Sequence, residues 1–412
     1  MAGFGDDRNE KNIARPSLQI RYDKILQFVQ EHRDADPLKL LLQQAKYPDI
    51  DLRLVAQQLE GLRQASAKWP TLASCATYVY PPKLNREQSS SEATARYKGA
   101  LFARLGGGTF ADLTGGMGID ALFLAQQASQ GHYVEMDAAL CDMARHNFSA
   151  LRQVNMSVHQ GDSMAWIADA GHPFDLVYID PARRDARGRK VAAFEDCTPN
   201  LLGNLELILR STRYLLVKAS PMIDISVALR ELGMVEEVHV VAVGGECKEV
   251  LFLLSRTEAL RQVAFHCVDL QKGIDVSFTR VEEQEAEPLF ADVAGRYLYE
   301  PNAALMKGGC YNSLCAWHRV QKLARNTHLY TSDTIVSDFP GRIFEVLQEL
   351  PMNAKEVAKA VPERRAHVAT RNYPLSAADL QKKLKINEGG TLFIIAATLG
   401  TRPKGWLCRQ LH

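Results

Sequence analysis

No two of the eight cysteines form a Cys-x-x-Cys pair, and they lie scattered along the 412 residues. That argues against a zinc ribbon and a disulfide scaffold, and it predicts a reducing, cytoplasmic setting. Cys310-x4-Cys315-x2-His318 comes nearest to a metal spacing. It fits no common zinc pattern and lacks a second pair, so buried core cysteines are expected there and no metal. No apolar run approaches the length that spans a bilayer. The stretch Met1-Ala-Gly-Phe-Gly-Asp-Asp-Arg8 has no apolar signal core, so no membrane partner is expected. The net charge is only +1, so any basic surface must be local. Internal repeats and long low-complexity tracts are missing as well. What remains is a chain of ordinary apolar content, 46%, long enough for two or three domains with sizeable cores.

One stretch organises the reading: Thr109-Phe-Ala-Asp-Leu-Thr-Gly-Gly-Met-Gly-Ile-Asp120. A short buried strand closes at Asp112. Gly115, Gly116 and Gly118 then permit a sharp turn and close approach of a ligand, because no Cβ intervenes. Asp120 opens an apolar helix, Ala121–Ala125, whose first N–H groups can face that ligand. Such a turn at the first crossover of an α/β sheet is a nucleotide-type site. A tight turn without a ligand is the alternative.

Around it the chain alternates. Residues 17–80 are helix-rich. Ile20, Lys24, Ile25, Phe28 and Val29 form one stripe, and Leu52, Val55, Ala56 and Leu59 another. Pro37 starts a segment over 38–46, and Pro81-Pro82 ends the helical region. Ser89-Ser90-Ser91-Glu92 caps a helix over 93–105 that runs into the glycine turn. Further strands are expected at 133–136, 158–160, 176–179 and 214–218, with helices at 137–154, 163–168, 201–209 and 225–232. Strands 235–243 and 250–255 are joined by a link too short for a parallel crossover, which makes them an antiparallel hairpin. Beyond 256 the pattern gives two strands at 265–268 and 276–279, an acidic loop at 282–287 and a helix at 311–325. A compact α+β unit follows from Gly341. Over 351–412 there are 11 Lys+Arg against 4 Asp+Glu, so this tail carries +7 and the remainder −6. A separately basic module suits RNA; a solvated basic face is the alternative.

Asp112 to Asp120 resembles motif I of class I S-adenosylmethionine (SAM) methyltransferases, with glycines in a G-G-x-G pattern rather than the GxGxxG of dinucleotide folds. Five strand–helix units and a terminal hairpin are also that class's inventory. The resemblance implies a Rossmann-like α/β sheet with an antiparallel final strand, a helical N-terminal region and α+β C-terminal domains. It implies SAM as cofactor, held by Asp112, Thr114, Gly115, Gly116, Gly118, Asp120 and Glu92. Glu135, 23 residues after Asp112, can accept both ribose hydroxyls, with Asp137 as the competing choice. Asp162-Ser163 matches the position that meets the adenine amine, though Asp162 can equally cap a helix.

Asp180-Pro181-Ala182-Arg183 resembles motif IV, where related enzymes carry (D/N/S)-P-P-(Y/F/W) and a carboxylate aims an exocyclic amine at the methyl carbon. Asp180 and Pro181 are therefore the catalytic candidates. Ala182 and Arg183 depart from that pattern and resemble the Asp-Pro-x-Arg of RNA uridine C5 methyltransferases. Those need a cysteine after the fifth strand, where this chain has Lys218-Ala-Ser-Pro221, so covalent pyrimidine chemistry is not expected. Arg183, Arg184, Arg187, Arg189 and Lys190 read as phosphate contacts, or else as an exposed loop. Phe194 could stack on a base or pack in a core.

Ser91-Glu92 matches part of a helix found in cap guanine-N2 methyltransferases of the trimethylguanosine-synthase type. The whole layout resembles bacterial class I methyltransferases with a ferredoxin-like insert and a C-terminal THUMP-like domain. Tyr299-Glu-Pro-Asn-Ala-Ala-Leu305, His328–Asp333 and Arg371-Asn-Tyr-Pro-Leu375 carry that part. The expected division is a helical domain over 1–84, a catalytic domain over 85–256, a ferredoxin-like domain over 257–340 and a THUMP-like domain over 341–412. The expected activity is methylation of RNA, at a base of tRNA or rRNA, since THUMP domains bind structured RNA. A small molecule or protein as acceptor, or a non-catalytic RNA-binding protein with a vestigial Rossmann domain, are the competing readings.

Overall fold

The computed structural model describes residues 18–183, 194, 197–256 and 262–411. The chain folds as two units, one of residues up to Ile179 with Arg210–Arg213, the other of Asp180–Leu209 and Tyr214 onward.

The first unit begins with the apolar stripes of helices Leu18–Glu31 and Leu52–Lys68. Ile25, Phe28 and Val29 bury against Leu52, Val55 and Leu59. Lys24, placed on that stripe by its spacing, is exposed; Tyr22 and Leu26 lie inside instead. Asp36 caps the helix Pro37–Leu41, which stops early and gives way to a 3-10 turn at Gln44–Lys46. Residues 77–80 are an extended strap on the helix Ala138–Ala150. The Asn147 amide meets both backbone groups of Val79, at 2.8 Å each, and Gln58 does the same for Tyr80. The helical region is thereby part of the same unit as the sheet that follows.

That sheet has four parallel strands, β1 (Gly108–Asp112), β2 (Ala128–Glu135), β3 (Met156–Gln160) and β4 (Phe174–Ile179), in the order β3-β2-β1-β4. Helices Ile119–Ala125, Ala138–Ala150 and Ser163–Asp169 make the crossovers. Every residue of the first is buried, the apolar run Ala121–Ala125 and Asp120 alike.

In the second unit β5 (Thr212–Ala219) pairs antiparallel with β7 (Glu246–Ser255), which pairs antiparallel with β6 (Val235–Val243). The antiparallel final strand is thus present. Gly244 and Gly245, at φ +65° and +79°, close the hairpin, and only glycine takes two such positions in a row without strain. Two further strands extend this set. β8 (Ala264–Asp269) pairs parallel with β6, and β9 (Ile274–Thr279) pairs with β8, giving the order β5-β7-β6-β8-β9. β6 buries Val238, Val240, Val241 and Ala242, so both of its edges need partners. The helix Ala303–Gly308 also packs on these strands; a Cβ on Gly308 would sit 2.4 Å from Cys267 Sγ.

A seven-stranded sheet completes the unit: β10 (Tyr297–Pro301), β11 (Gln321–Ala324), β12 (Thr327–Ser332), β13 (Gly341–Glu349), β14 (His367–Arg371), β15 (Leu392–Leu399) and β16 (Arg402–Leu411). Their order is β11-β12-β10-β13-β16-β15-β14. The ferredoxin-like and THUMP-like stretches share this one sheet through the β10–β13 ladder. Glu300 on β10 takes Arg342 and Arg371 on its two oxygens, tying the stretches together again. Two expectations fail here. The helix expected over 311–325 is only Ser313–His318, ended by Arg319 at φ +53°, and β11 follows. The acidic loop is a capped helix, Arg280–Glu285, whose Glu283 accepts from the N–H groups of Tyr311, Asn312 and Ser313.

Candidate active site

β1 delivers Asp112, buried at 1% exposure, to the start of the glycine turn. Its Oδ1 accepts from Thr114 N at 2.9 Å and Thr114 Oγ1 at 3.3 Å. Gly115 N donates to Val134 O on β2, 3.0 Å away. A Cβ on Gly115 would stand 2.4 Å from the Tyr133 ring, so glycine is required there. The Tyr133 hydroxyl donates to Gly116 O at 2.7 Å. Burial, with Glu135 and Asp112 nearby, holds that phenol well above its ordinary pKa, so it remains a donor at neutral pH.

Gly116 N donates to Glu135 Oε2 at 2.9 Å, and Asp137 N donates to Glu135 Oε1 at 3.0 Å. The structure therefore brings Glu135 to the turn. Asp137 is exposed and caps the helix Ala138–Ala150, accepting from Ala139 N at 2.7 Å and Leu140 N at 3.2 Å. Two hydrogen bonds do not exhaust a carboxylate, which can accept about four. Asp162 follows β3 and caps the next helix through Oδ1, 2.8 Å from Ala165 N; Ser163 beside it is buried. Asp112, Glu135 and Asp162 thus stand at the carboxyl ends of three adjacent parallel strands, where open α/β sheets bind ligands.

These residues fit SAM. Gly116 is in the left-handed region at φ +51°, and a Cβ there would meet nothing nearer than Thr114 O at 3.6 Å. The turn is open on that side, as a ligand lying against the backbone needs. Glu135 offers the acceptor oxygens that a ribose diol requires.

Two expected cofactor contacts face elsewhere. Asp120 (7% exposed) points inward to Lys98, which is fully buried. Lys98 Nζ lies 3.2 Å from Oδ1, while the Ser90 and Tyr178 hydroxyls donate to Oδ2 at 2.8 and 2.9 Å. A buried lysine needs a compensating charge, and Asp120 supplies it. The serine-capped helix, Glu92–Arg104, is therefore tied to Asp120 through Lys98. Glu92 takes Thr71 N at 2.8 Å, Thr71 Oγ1 at 2.7 Å and the Arg96 guanidinium at 2.7 Å. Burial pushes its pKa up, but the bonds from Thr71 and Arg96 outweigh that and leave it below the ordinary value. A depressed pKa contributes stability above the unfolded value and loses it as pH falls through the folded one. Glu92→Gln should therefore lower the midpoint of thermal unfolding at pH 7, and the gap from wild type should close below about pH 4. Calorimetric Kd for SAM should not change; a weakened Kd in a folded variant would return Glu92 to the cofactor.

In the second unit, Asp180 is the residue after the end of β4. Its Oδ2 lies 2.5 Å from Nζ of Lys218, near the end of β5. Sequence reasoning used Lys218 only to exclude a cysteine nucleophile; a charge closing the buried run Leu215–Val217 was the available signal. Pro181 is buried, and Ala182–Arg183 pair with Cys197–Thr198. Arg184, Arg187, Arg189 and Lys190 lie outside the described residues, and Arg183 is described for its backbone alone. Phe194 is buried against Phe252 with ring centroids 6.0 Å apart, which assigns it to the core.

Cys310 and Cys315 are buried, and burial pushes both thiols above their ordinary pKa. Among the described residues Glu237, His239 and His266 form the group nearest to a metal set. The two imidazoles lie parallel, 10° apart with centroids at 4.6 Å. His239 Nε2 pairs directly with Glu237 at 2.9 Å, and His266 Nε2 lies 3.9 Å from the same carboxylate oxygen.

Sheet, turn and acidic edge together define the class: a methyltransferase with the class I, SAM-dependent fold. A proposed methyltransferase from Porphyromonas gingivalis W83 has 32% sequence identity and a TM-score of 0.84, over 96% of this chain and 99% of its own. The chain belongs to the family of that protein. Residues 297–340 match a ferredoxin-like domain model and 341–410 a THUMP domain-like model. No curated protein matches this chain in sequence. Partial likenesses extend to a proposed class I SAM-dependent methyltransferase of Listeria monocytogenes, with 12% identity and TM-score 0.38 over 60% of this chain and 93% of its own. A proposed RNA methyltransferase of Pyrococcus horikoshii has 20% identity and TM-score 0.26 over 34% and 66%. The family assignment rests on the first of these structures.

Proposed function

We propose that this protein methylates RNA, at a base of tRNA or rRNA, with SAM as methyl donor. The observation that carries the RNA reading is the THUMP-like match at 341–410, which overlaps the +7 tail over 351–412. A polyanion is the natural partner of a module so charged beside a remainder at −6.

Bound SAM supplies an electrophilic methyl group on a positively charged sulfur. Asp112, Thr114, Gly115, Gly116 and Gly118 receive its methionine end. Glu135 accepts the ribose hydroxyls, while Asp162 and Ser163 stand at the adenine. Asp180 accepts the N–H or O–H of the acceptor and aims its lone pair, with Pro181 fixing the backbone beside it. The acceptor atom gains the methyl and loses one proton, which passes to the Asp180 carboxylate. Catalysis in this arrangement is chiefly placement, a device that can contribute several kcal/mol. The basic residues 183–190 and the tail hold phosphates.

Incubation with tritiated SAM and total RNA from a deletion strain should place label in an RNase-sensitive fraction. Label surviving RNase in a low-mass or protein fraction would overturn the RNA reading.

A further inference from the structure

The Asp180–Lys218 pair has an uneven distribution of exposure. The carboxylate side chain is 37% exposed and the lysine side chain 12%. The cation is on the inner side, and the acid faces outward. Lysine is rarely buried to this degree, because its ammonium loses hydration unless an anion takes its place. Lys218 belongs to the regular ladder of β5, opposite Leu251 of β7, between the buried Val217 and Ala219. Its backbone is therefore fixed by hydrogen bonds on a buried strand. Asp180 follows a strand end and lies next to a proline, a position that leaves its side chain more rotamers.

We propose that Lys218 is a positioning residue for methyl transfer. Its ammonium, anchored from β5, holds the Asp180 carboxylate in the rotamer that receives the acceptor's N–H or O–H. A carboxylate accepts at about four positions, so the contact to Lys218 takes up only part of its capacity. The role resembles that of the groups that orient first-line catalytic side chains elsewhere, whose loss acts on turnover more than on binding. This inference rests on the assignment of Asp180 to the acceptor.

The test uses the full chain and four variants, with tritiated SAM and RNA from a deletion strain. Lys218→Met keeps the volume and removes the charge. Lys218→Arg restores a cation at nearly the same reach. Lys218→Met should lower kcat at least 30-fold while the Kd for SAM by calorimetry stays within threefold. Lys218→Arg should recover at least a tenth of wild-type kcat. The double variant Lys218→Met/Asp180→Asn should be no slower than Asp180→Asn alone, because both changes remove one device. Transfer by Lys218→Met within threefold of wild type would overturn the role. So would a folded Lys218→Arg no faster than Lys218→Met, or losses that multiply in the double variant. Label from the wild type in a fraction other than RNA would overturn the RNA reading alone, and the same comparison would then be made on that acceptor. A wild type that binds SAM and labels no fraction would overturn both.

Discussion

Lys98→Ala is expected to destabilise the protein by roughly 3–5 kcal/mol, the largest stability effect of any single substitution considered. The lysine is fully buried, and its loss leaves the Asp120 carboxylate, itself 7% exposed, beside the Ser90 and Tyr178 hydroxyls without the ammonium that balances its charge. Near the unfolding midpoint that corresponds to a fall of about 6–20 °C for a unit of this size. The effect comes from an uncompensated buried charge rather than from the pair's intrinsic worth, so Lys98→Met/Asp120→Leu should recover much of the loss. Recovery should be incomplete, because Ser90 and Tyr178 then lose their acceptor. Differential scanning calorimetry of the two variants decides the matter. A Lys98→Ala protein within about 1 kcal/mol of wild type would show that water reaches the pair.

The second large effect is on turnover. Asp180→Ala is expected to lower kcat by about 100-fold or more, since it removes the group that aims the acceptor. Affinity for SAM should hold, because the residues assigned to the cofactor lie at the ends of β1, β2 and β3. Asp180→Asn keeps an acceptor oxygen but loses the charge that matches Lys218, so it should fall between wild type and alanine. Single-turnover kinetics at saturating SAM separates this from a binding defect. A kcat within threefold of wild type in Asp180→Ala would place the acceptor elsewhere.

The glycine turn was legible because its residue types leave few alternatives. Gly115 is excluded from carrying a Cβ by Tyr133, and Gly116 by its φ. The hairpin was legible from its short link, and the helix Ile225–Leu232 from its stripe. β2 begins five residues before its expected start, because Ala128-Ser-Gln-Gly-His132 carries no apolar alternation. The strands at 264–279 were visible by pattern, but no local pattern says which neighbour a strand pairs with, and they extend the hairpin strands of the second unit through β6. Lys98 was missed since a lysine within a helix reads as solvent-facing; its partner Asp120 lies 22 residues on and was itself assigned to the ligand. Glu92 failed for the same reason. Its partner Thr71 belongs to the helical region that sequence separated from the catalytic domain.

The claim on which the rest depends is that SAM lies against the turn between Asp112 and Asp120. Titration calorimetry of the wild-type chain with SAM tests it most directly, with Gly116→Arg as the control. The wild type should bind one SAM per chain with a Kd in the micromolar range, about −8 kcal/mol. Gly116→Arg puts a long side chain on a φ +51° glycine at the open side of the turn, and it should abolish the signal while the protein stays folded. A wild type that gives no binding, or a folded Gly116→Arg variant that binds as tightly as wild type, would contradict the account.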